Sequence, residues 1–479
     1  LILGCIAHPQ CDYYFVRIEM KKQLARSKKL WKIGDPAYNT HYFDFNLDGE
    51  LIVKEGNNTY TISYLAEKLG TPLEIYFPFI VEERVEDLMD LAGYLIKKHQ
   101  YSGEFHYHYP MKVNQNKEVV MALIGEGANV ETSSYNELWL VKKMLEQGTF
   151  NMNIRILCNG PKTEKYMILI DELQHRGLKI TPIIEGPNEL KLLQYSRYDV
   201  GLRIDMPVKA SSHWNKEIDR FGFTAEEVME LKPFKHLKIL HYHVGSQIEV
   251  EDDLLVPVRY ALEMYHKLWQ KNPSLDTLNI GGGLPIPYER TKTVLLERLL
   301  EKLLTLLKTE SEKYNMPHPN LICEWGRYMV APSQITVYQV MDNKLVTHKK
   351  AAGKKWLILD GSFMNDLPDV WGVNQKFSIV PTSNKNDKNL TSVWLAGASC
   401  DSDDIYVGNN GKLMLPDPDL VEDGKPYYLA VLDTGAYQDP LASHHCMLSS
   451  PAKIIAQNGH IMVLRRRETP DDVGKYFGW

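Results

Sequence analysis

The sequence has no C-x-x-C pair. Its six cysteines, Cys5, Cys11, Cys158, Cys323, Cys400 and Cys446, follow no regular spacing. That pattern argues against zinc ribbons and redox dithiols. A chain of 479 residues can bury a core without disulfides, so reduced cytoplasmic thiols are expected. Long apolar runs are also missing, and no stretch could span a bilayer. Positive charge is not in excess. The formal net charge is −6, and the basic runs Lys21–Lys22, Lys28–Lys29 and Arg465–Arg467 lack interleaved aromatics. They read as solvated faces, and no nucleic-acid partner is expected. The opening, LILGCIAHPQC, has no initiator methionine. Its LILGC is similar to a lipoprotein cleavage box, but no charged region precedes it, so neither a membrane partner nor a lipid anchor is expected. Residues 1–34 read as a poorly structured lead-in.

What is present is a regular alternation from Phe105 to Arg327. FHYHYPMK, ANVET, NIRILCNG, LKITPIIE, DVGLRID, LKILHYHVG, TLNIGGG and LICEWGR are short apolar runs, and all but the last precede a helical pattern. After ANVET, Ser134 and Glu137 form an S-x-x-E capping box ahead of Leu138, Val141 and Leu145 at helical spacing. Eight strands, all but the last followed by a helix, imply an α/β fold, a closed parallel (β/α)8 TIM-like barrel over about residues 76–335. Beyond it, SQITVYQVM, KKWLILDGSF, SVWLAGAS and PYYLAVLDTGAY are strand-like, with Gly, Asn, Asp and Pro between them. Residues 336–479 read as a mostly β domain. The alternation in HYFDFNLDGELIVKEG assigns residues 35–75 to it as well.

The unusual residues sit where the barrel strands end. Lys112, in YPMKVNQN, closes strand one. Glu131 ends strand two, Arg203 strand five and His243 strand six; Gly281, Gly282 and Gly283 end strand seven, and Glu324 and Arg327 strand eight. Barrel active sites are built at those ends. The glycine run suits a phosphate, because backbone N–H groups can approach closely there; Arg327 adds a bidentate charge. It is not a dinucleotide fingerprint, since G-x-G-x-x-G at a first strand–helix turn is absent. His241 and His243 share a strand face and could bind a metal. The neighbouring ends supply Lys, Glu and Arg instead of further histidines, so His243 suits stacking on a flat cofactor and His241 reads as a core histidine. DSDDIYVGNNG lacks the Gly and Glu that a calcium loop needs. No metal ligand set emerges, and a Mg2+ requirement has no support. An amine, a phosphate cradle, a flat ring and a facing carboxylate together describe a site for pyridoxal 5'-phosphate (PLP), with Glu324 as partner of the ring nitrogen.

These pieces, with CEWGRYMVAP, GASCDSDD and TGAYQ, resemble the fold-III PLP-dependent decarboxylases of ornithine, diaminopimelate and arginine, from about residue 40 to the C-terminus. YPMKVNQ, LPDVWGVNQKF and CDSDD are most similar to biosynthetic arginine decarboxylase. The resemblance implies an alanine racemase-like barrel plus β domain and decarboxylation of L-arginine to agmatine, an early step towards polyamines such as spermidine. It implies that Lys112 holds PLP, that His243 stacks on it, and that Ser246, Gly281–Gly283, Gly326, Arg327 and Tyr437 bind it. Glu131 and Arg203 would line the pocket. Cys400, as proton donor, and Asp401 would enter from the second subunit of a homodimer with shared sites. Asp360 stands where ornithine decarboxylases carry a substrate-binding Asp, and Asp403 and Asp404 are further acids for a basic substrate. Ornithine, lysine and diaminopimelate remain open as substrates. A non-catalytic regulatory homologue is the reading from another class; a metal-dependent barrel hydrolase is a further one.

Overall fold

The computed structural model describes residues 9–207, 220–288, 294–421 and 424–479, with backbone alone for residues 9–18 and Asn409. They form two units. One comprises Val81–Ile286 and Thr293–Ala331; the other comprises the described parts of 1–80, 287–292 and 332–479.

The first unit is the barrel. Its strands are β1 (Phe105–Pro110), β2 (Asn129–Thr132), β3 (Arg155–Cys158), β4 (Lys179–Ile184), β5 (Val200–Arg203), β6 (Leu237–His241), β7 (Thr277–Asn279) and β8 (Asn320–Cys323). Each pairs in parallel with the next, and β8 pairs with β1 to close the ring. All eight fall on the apolar runs read from the sequence. Strands covered by helices outside and side chains inside must be apolar on both faces; Leu157, Ile183, Ile239 and Ile322 pack together in the interior. Gly201 makes room for them, because a Cβ there would lie 2.3 Å from Ile183 Cδ1 and 3.2 Å from Ile239 Cβ.

Two local expectations need correction. Ser134 caps the helix Tyr135–Glu146, accepting from the Glu137 N–H at 3.2 Å. The capping box does not close, however. The Glu137 carboxylate accepts from the Ser133 N–H at 2.6 Å and from Gln115 Nε2 at 2.9 Å instead. Glu137 thereby ties the loop after β2 to the segment that carries Lys112. The last strand is followed by a helix after all, Gly326–Val330, too short for its periodicity to register in the sequence.

In the second unit the main sheet runs, in spatial order, Ile405–Tyr406, Leu390–Ala396, Lys355–Leu359, Gln334–Leu345, Leu73–Tyr76, Ala452–Gln457 and His460–Arg465. The first hairpin region forms its own three-stranded sheet, Phe43–Phe45, Leu51–Glu55 and Asn58–Thr61. It is tethered by the Leu51 N–H donating to Thr382 O at 2.9 Å. Residues Pro9–Trp31 form a helix, not an irregular lead-in. Long-range anchors explain it: Gln23 Nε2 donates to Asn384 O at 3.1 Å and Trp31 Nε1 to Asp387 Oδ1 at 3.2 Å. Among the described residues no helix is long and apolar enough to cross a membrane.

Candidate active site

The C-terminal strand ends of the barrel gather a dense polar set. Lys112 lies in a single turn, Met111–Val113, just beyond β1. Its neighbours Met111 and Val113 are buried, whereas Lys112 itself is exposed. Gly326 fixes how closely the end of β8 approaches this turn, since a Cβ there would fall 2.6 Å from Pro110 Cγ and 2.7 Å from Val113 Cγ2.

Glu324, just past β8, is buried. Its Oε1 accepts from Asn279 Nδ2 at 2.7 Å and from Asn159 Nδ2 at 3.3 Å, and lies 4.0 Å from His241 Nδ1. His241 is therefore part of the site's electrostatics as well as its packing. Burial, with the Arg203 charge in support, pushes its pKa down to about 3, so the ring is neutral.

Glu131 in β2 is fully buried. Ser133 Oγ donates to its Oε1 at 2.6 Å, while Oε2 has no hydrogen-bond partner. Burial first, and repulsion from Glu324 second, push its pKa up to about 8; the Lys112 charge works in the opposite direction. A carboxyl raised in this way stays protonated in the fold after the unfolded chain, at its ordinary 4.5, has released its proton. The resulting penalty on stability is absent below pH 4.5, grows with pH, and is full above about pH 8. Glu131→Gln in the cofactor-free chain should therefore melt higher than the parent at pH 8, with the gap closing towards pH 4.5. A gap independent of pH would contradict this.

Arg203, ending β5, is buried and donates from Nη1 to Glu185 Oε1 at 3.1 Å. Its guanidinium lies 4.5 Å from the centre of the Phe221 ring. Burial would raise the Glu185 pKa, but the charges of Arg203 and Lys162 outweigh it and hold the carboxyl below its ordinary value. The ion pair fixes the direction in which Arg203 points.

The glycine run does two jobs. The Gly281 N–H donates to Asn279 Oδ1 at 2.9 Å, orienting the amide that grips Glu324; the Gly282 N–H donates to His243 Nδ1 at 3.1 Å. Gly281 adopts φ +65°, and a Cβ there would meet Tyr242 O at 2.6 Å and His243 Nδ1 at 2.9 Å. The run thus seats the His243 ring against bare backbone. Both of these N–H groups are committed inside the protein, contrary to their expected use on a phosphate. Gly283, at φ +119°, is the third of the run. Arg327 Nε donates to Ser246 Oγ at 3.3 Å, bringing two anion-binding side chains together.

The four other expected residues belong to the β unit. Tyr437 has φ +67°, uncommon for a bulky side chain. Asp360 uses both oxygens locally, accepting from Thr71 Oγ1 at 2.5 Å and from the Gln339 N–H at 2.9 Å. Cys400 and Asp401 lie on the loop following Leu390–Ala396; Asp401 Oδ1 accepts from the Asp403 N–H at 2.9 Å. Asp404, counted as an available acid, is instead the loop's buried anchor, accepting from the Phe363 and Ser399 N–H groups at 2.8 and 3.1 Å.

Residues 94–331 match the family described as pyridoxal-dependent decarboxylase, pyridoxal binding domain. This barrel region thus carries the pyridoxal-binding domain of the pyridoxal-dependent decarboxylases. The biosynthetic arginine decarboxylase of Bacteroides thetaiotaomicron is 24% identical, over 89% of this chain and 86% of that one. The arginine decarboxylase of Avena sativa is also 24% identical, over 86% and 84%. Among solved structures, the biosynthetic arginine decarboxylase of Campylobacter jejuni matches with a TM-score of 0.77 at 20% identity, over 90% of this chain and 89% of that one. A diaminopimelate decarboxylase of M. jannaschii, in complex with L-lysine, gives 0.74 at 22%, over 91% and 97%. The likeness to these structures is one of fold, a closed eight-stranded barrel plus a β-rich domain.

The residues at the barrel's strand ends fit PLP. Glu131 Oε2, Asn159 Oδ1 and Glu185 Oε2 are buried polar atoms at the strand ends without hydrogen-bond partners, and the glycine cradle excludes side chains beside His243. Among the described residues no cluster of His, Cys, Asp or Glu is arranged to hold a metal ion. Asn159, Asn279 and Glu185 were not singled out in the sequence. Each nonetheless ends or directly follows a barrel strand (β3, β7 and β4), and that position was the available signal.

Proposed function

We propose that this chain decarboxylates L-arginine to agmatine and CO2, with Lys112 as the residue that holds PLP. The likeness to arginine decarboxylases over nearly nine-tenths of the chain is the observation that carries the substrate. When bound, PLP supplies an electron sink for the pair left on the α-carbon as CO2 departs. Lys112 would hold it through its amine. Arg327 and Ser246, with Gly283 and Tyr437, would hold its phosphate, and His243 its face. Glu324, gripped by Asn279 and Asn159, would keep a proton on the ring nitrogen. Glu131 and Arg203 would complete the pocket wall. Cys400 would return a proton to the α-carbon, and Asp401 would meet the far cationic end of the substrate. Asp360, already bonded to Thr71 and Gln339, would shape that end indirectly.

A guanidinium is planar and prefers a bidentate carboxylate, whereas an ammonium is a compact point charge. Arginine should therefore give the highest kcat/KM when compared with ornithine, lysine and meso-diaminopimelate on the parent protein. A higher value for any of the other three would overturn the substrate and leave the decarboxylase reading intact.

Cys400 and Asp401 would serve the barrel of a second copy, in a homodimer with shared sites. Mixed Lys112→Ala and Cys400→Ala chains should then recover activity that neither variant has alone, because one hybrid site is intact. No recovery despite proven subunit exchange would contradict sharing. We place the enzyme in the cytoplasm on the reduced-thiol pattern of its sequence.

A further inference from the structure

Four cysteines fall among those with described side chains, and they divide in two. Cys158 and Cys323 are buried in barrel strands, while Cys400 and Cys446 are exposed. The exposed pair is separated by 46 positions in the chain, yet the sulfurs lie 3.6 Å apart. A disulfide needs about 2.05 Å, so the approach remaining is small.

The contact rests on a shared mooring. The Cys400 loop is held by Asp404, whose carboxylate accepts from the Phe363 N–H at 2.8 Å and the Ser399 N–H at 3.1 Å. The Cys446 turn is held by Asn365: its Nδ2 donates to His445 O at 3.0 Å, and its Oδ1 accepts from the His445 N–H at 3.1 Å and from Ser443 Oγ at 2.9 Å. Phe363 and Asn365 are two residues apart, so one short segment fixes both loops. A second contact runs beside the first, His445 Nε2 to Asp401 Oδ2 at 3.4 Å. Cys446 itself sits at φ +57° and Met447 at φ +54°. Non-glycine residues hold that conformation only where the surroundings impose it. Cys446 also raises the Cys400 pKa, through a hydrogen bond first and charge second, a consequence of the direct contact between the two sulfurs.

We propose that Cys400 and Cys446 form a reversible dithiol–disulfide pair, a modification site for small peroxides. One thiolate of the pair attacks a peroxide oxygen; an S–O bond forms, the O–O bond breaks, and water leaves. The second thiolate attacks the oxidised sulfur; the S–S bond forms, the S–O bond breaks, and a second water leaves with the remaining proton. Two thiols lose two electrons and two protons, and hydrogen peroxide is reduced to two waters. A dithiol reductant reverses the bond by exchange. The consequence for turnover rests on the reading of Cys400 as proton donor, whereas the cross-link does not.

The test uses the holoenzyme treated with a small excess of hydrogen peroxide, followed by alkylation of free thiols. Trypsin cuts at Lys412, between the two cysteines. The expected product is a dithiothreitol-sensitive peptide linking Cys400 to Cys446, with turnover reduced by about 10²-fold or more, the scale of a lost proton-transfer group, and restored by dithiothreitol. Cys446→Ser should keep its basal activity, form no linked peptide, and trap dimedone at Cys400 after oxidation. Dimedone-labelled Cys400 in the parent without any linked peptide, or Cys400 linked to another cysteine, would overturn the pair. A linked peptide with undiminished turnover would uphold the pair and remove Cys400 from the chemistry.

Discussion

Lys112→Ala should fold like the parent and lose turnover by about 10³-fold or more, the scale expected when the covalent partner in a site that acts as a unit is removed. Folding should survive because the side chain is exposed, whereas the buried neighbours Met111 and Val113 hold the turn. The turn is further pinned from the end of β8 by the close approach of Gly326 to Pro110 and Val113. Product formation under saturating arginine, read beside the melting curve, checks both halves. Turnover within tenfold of the parent would take Lys112 out of the chemistry.

Glu324→Gln should bind PLP and lose kcat by roughly 10²–10³-fold, the effect of deleting one charge partner of a developing transition state. The substitution keeps size and one carbonyl-type acceptor, so Asn279 retains its partner and the site keeps its shape. What would be lost is the carboxylate proposed to partner the ring nitrogen. His241 cannot stand in for it, being neutral with its pKa near 3 and, in any case, of the wrong sign when charged. The loss should fall on kcat, with KM little changed, because other residues are proposed to hold phosphate and substrate. Near-normal kcat, or loss of PLP itself, would contradict the role.

The barrel was legible because each of its strands is a short apolar run that stops at a chemically conspicuous residue. Lys112, Arg203, His243 and Glu324, conspicuous in the sequence, stand at the strand ends or within two residues of them. Asn159 and Asn279 were not, since an amide after a strand looks like any loop residue until the carboxylate it grips is present. The Glu185–Arg203 pair joins the ends of β4 and β5, and only closure of the barrel brings them together. The glycine run was found, but the direction of its N–H groups belongs to the backbone path: two of them turn inward to Asn279 and His243. Leu73–Tyr76 lies between Gln334–Leu345 and Ala452–Gln457 in the main sheet of the β unit. Four residues so distant from their partners carry no periodic signal of their own. The same is true of Cys446, whose nearness to Cys400 depends on anchors at Asn365 and Asp404.

The most direct measurement is the position at which the cofactor becomes fixed. Borohydride reduction of the holoenzyme, followed by proteolysis and peptide mapping, should place a single pyridoxyl group on Lys112, with none on the same peptide of Lys112→Ala. A pyridoxyl group on any other lysine would contradict the central claim, that the barrel's strand ends hold PLP through Lys112.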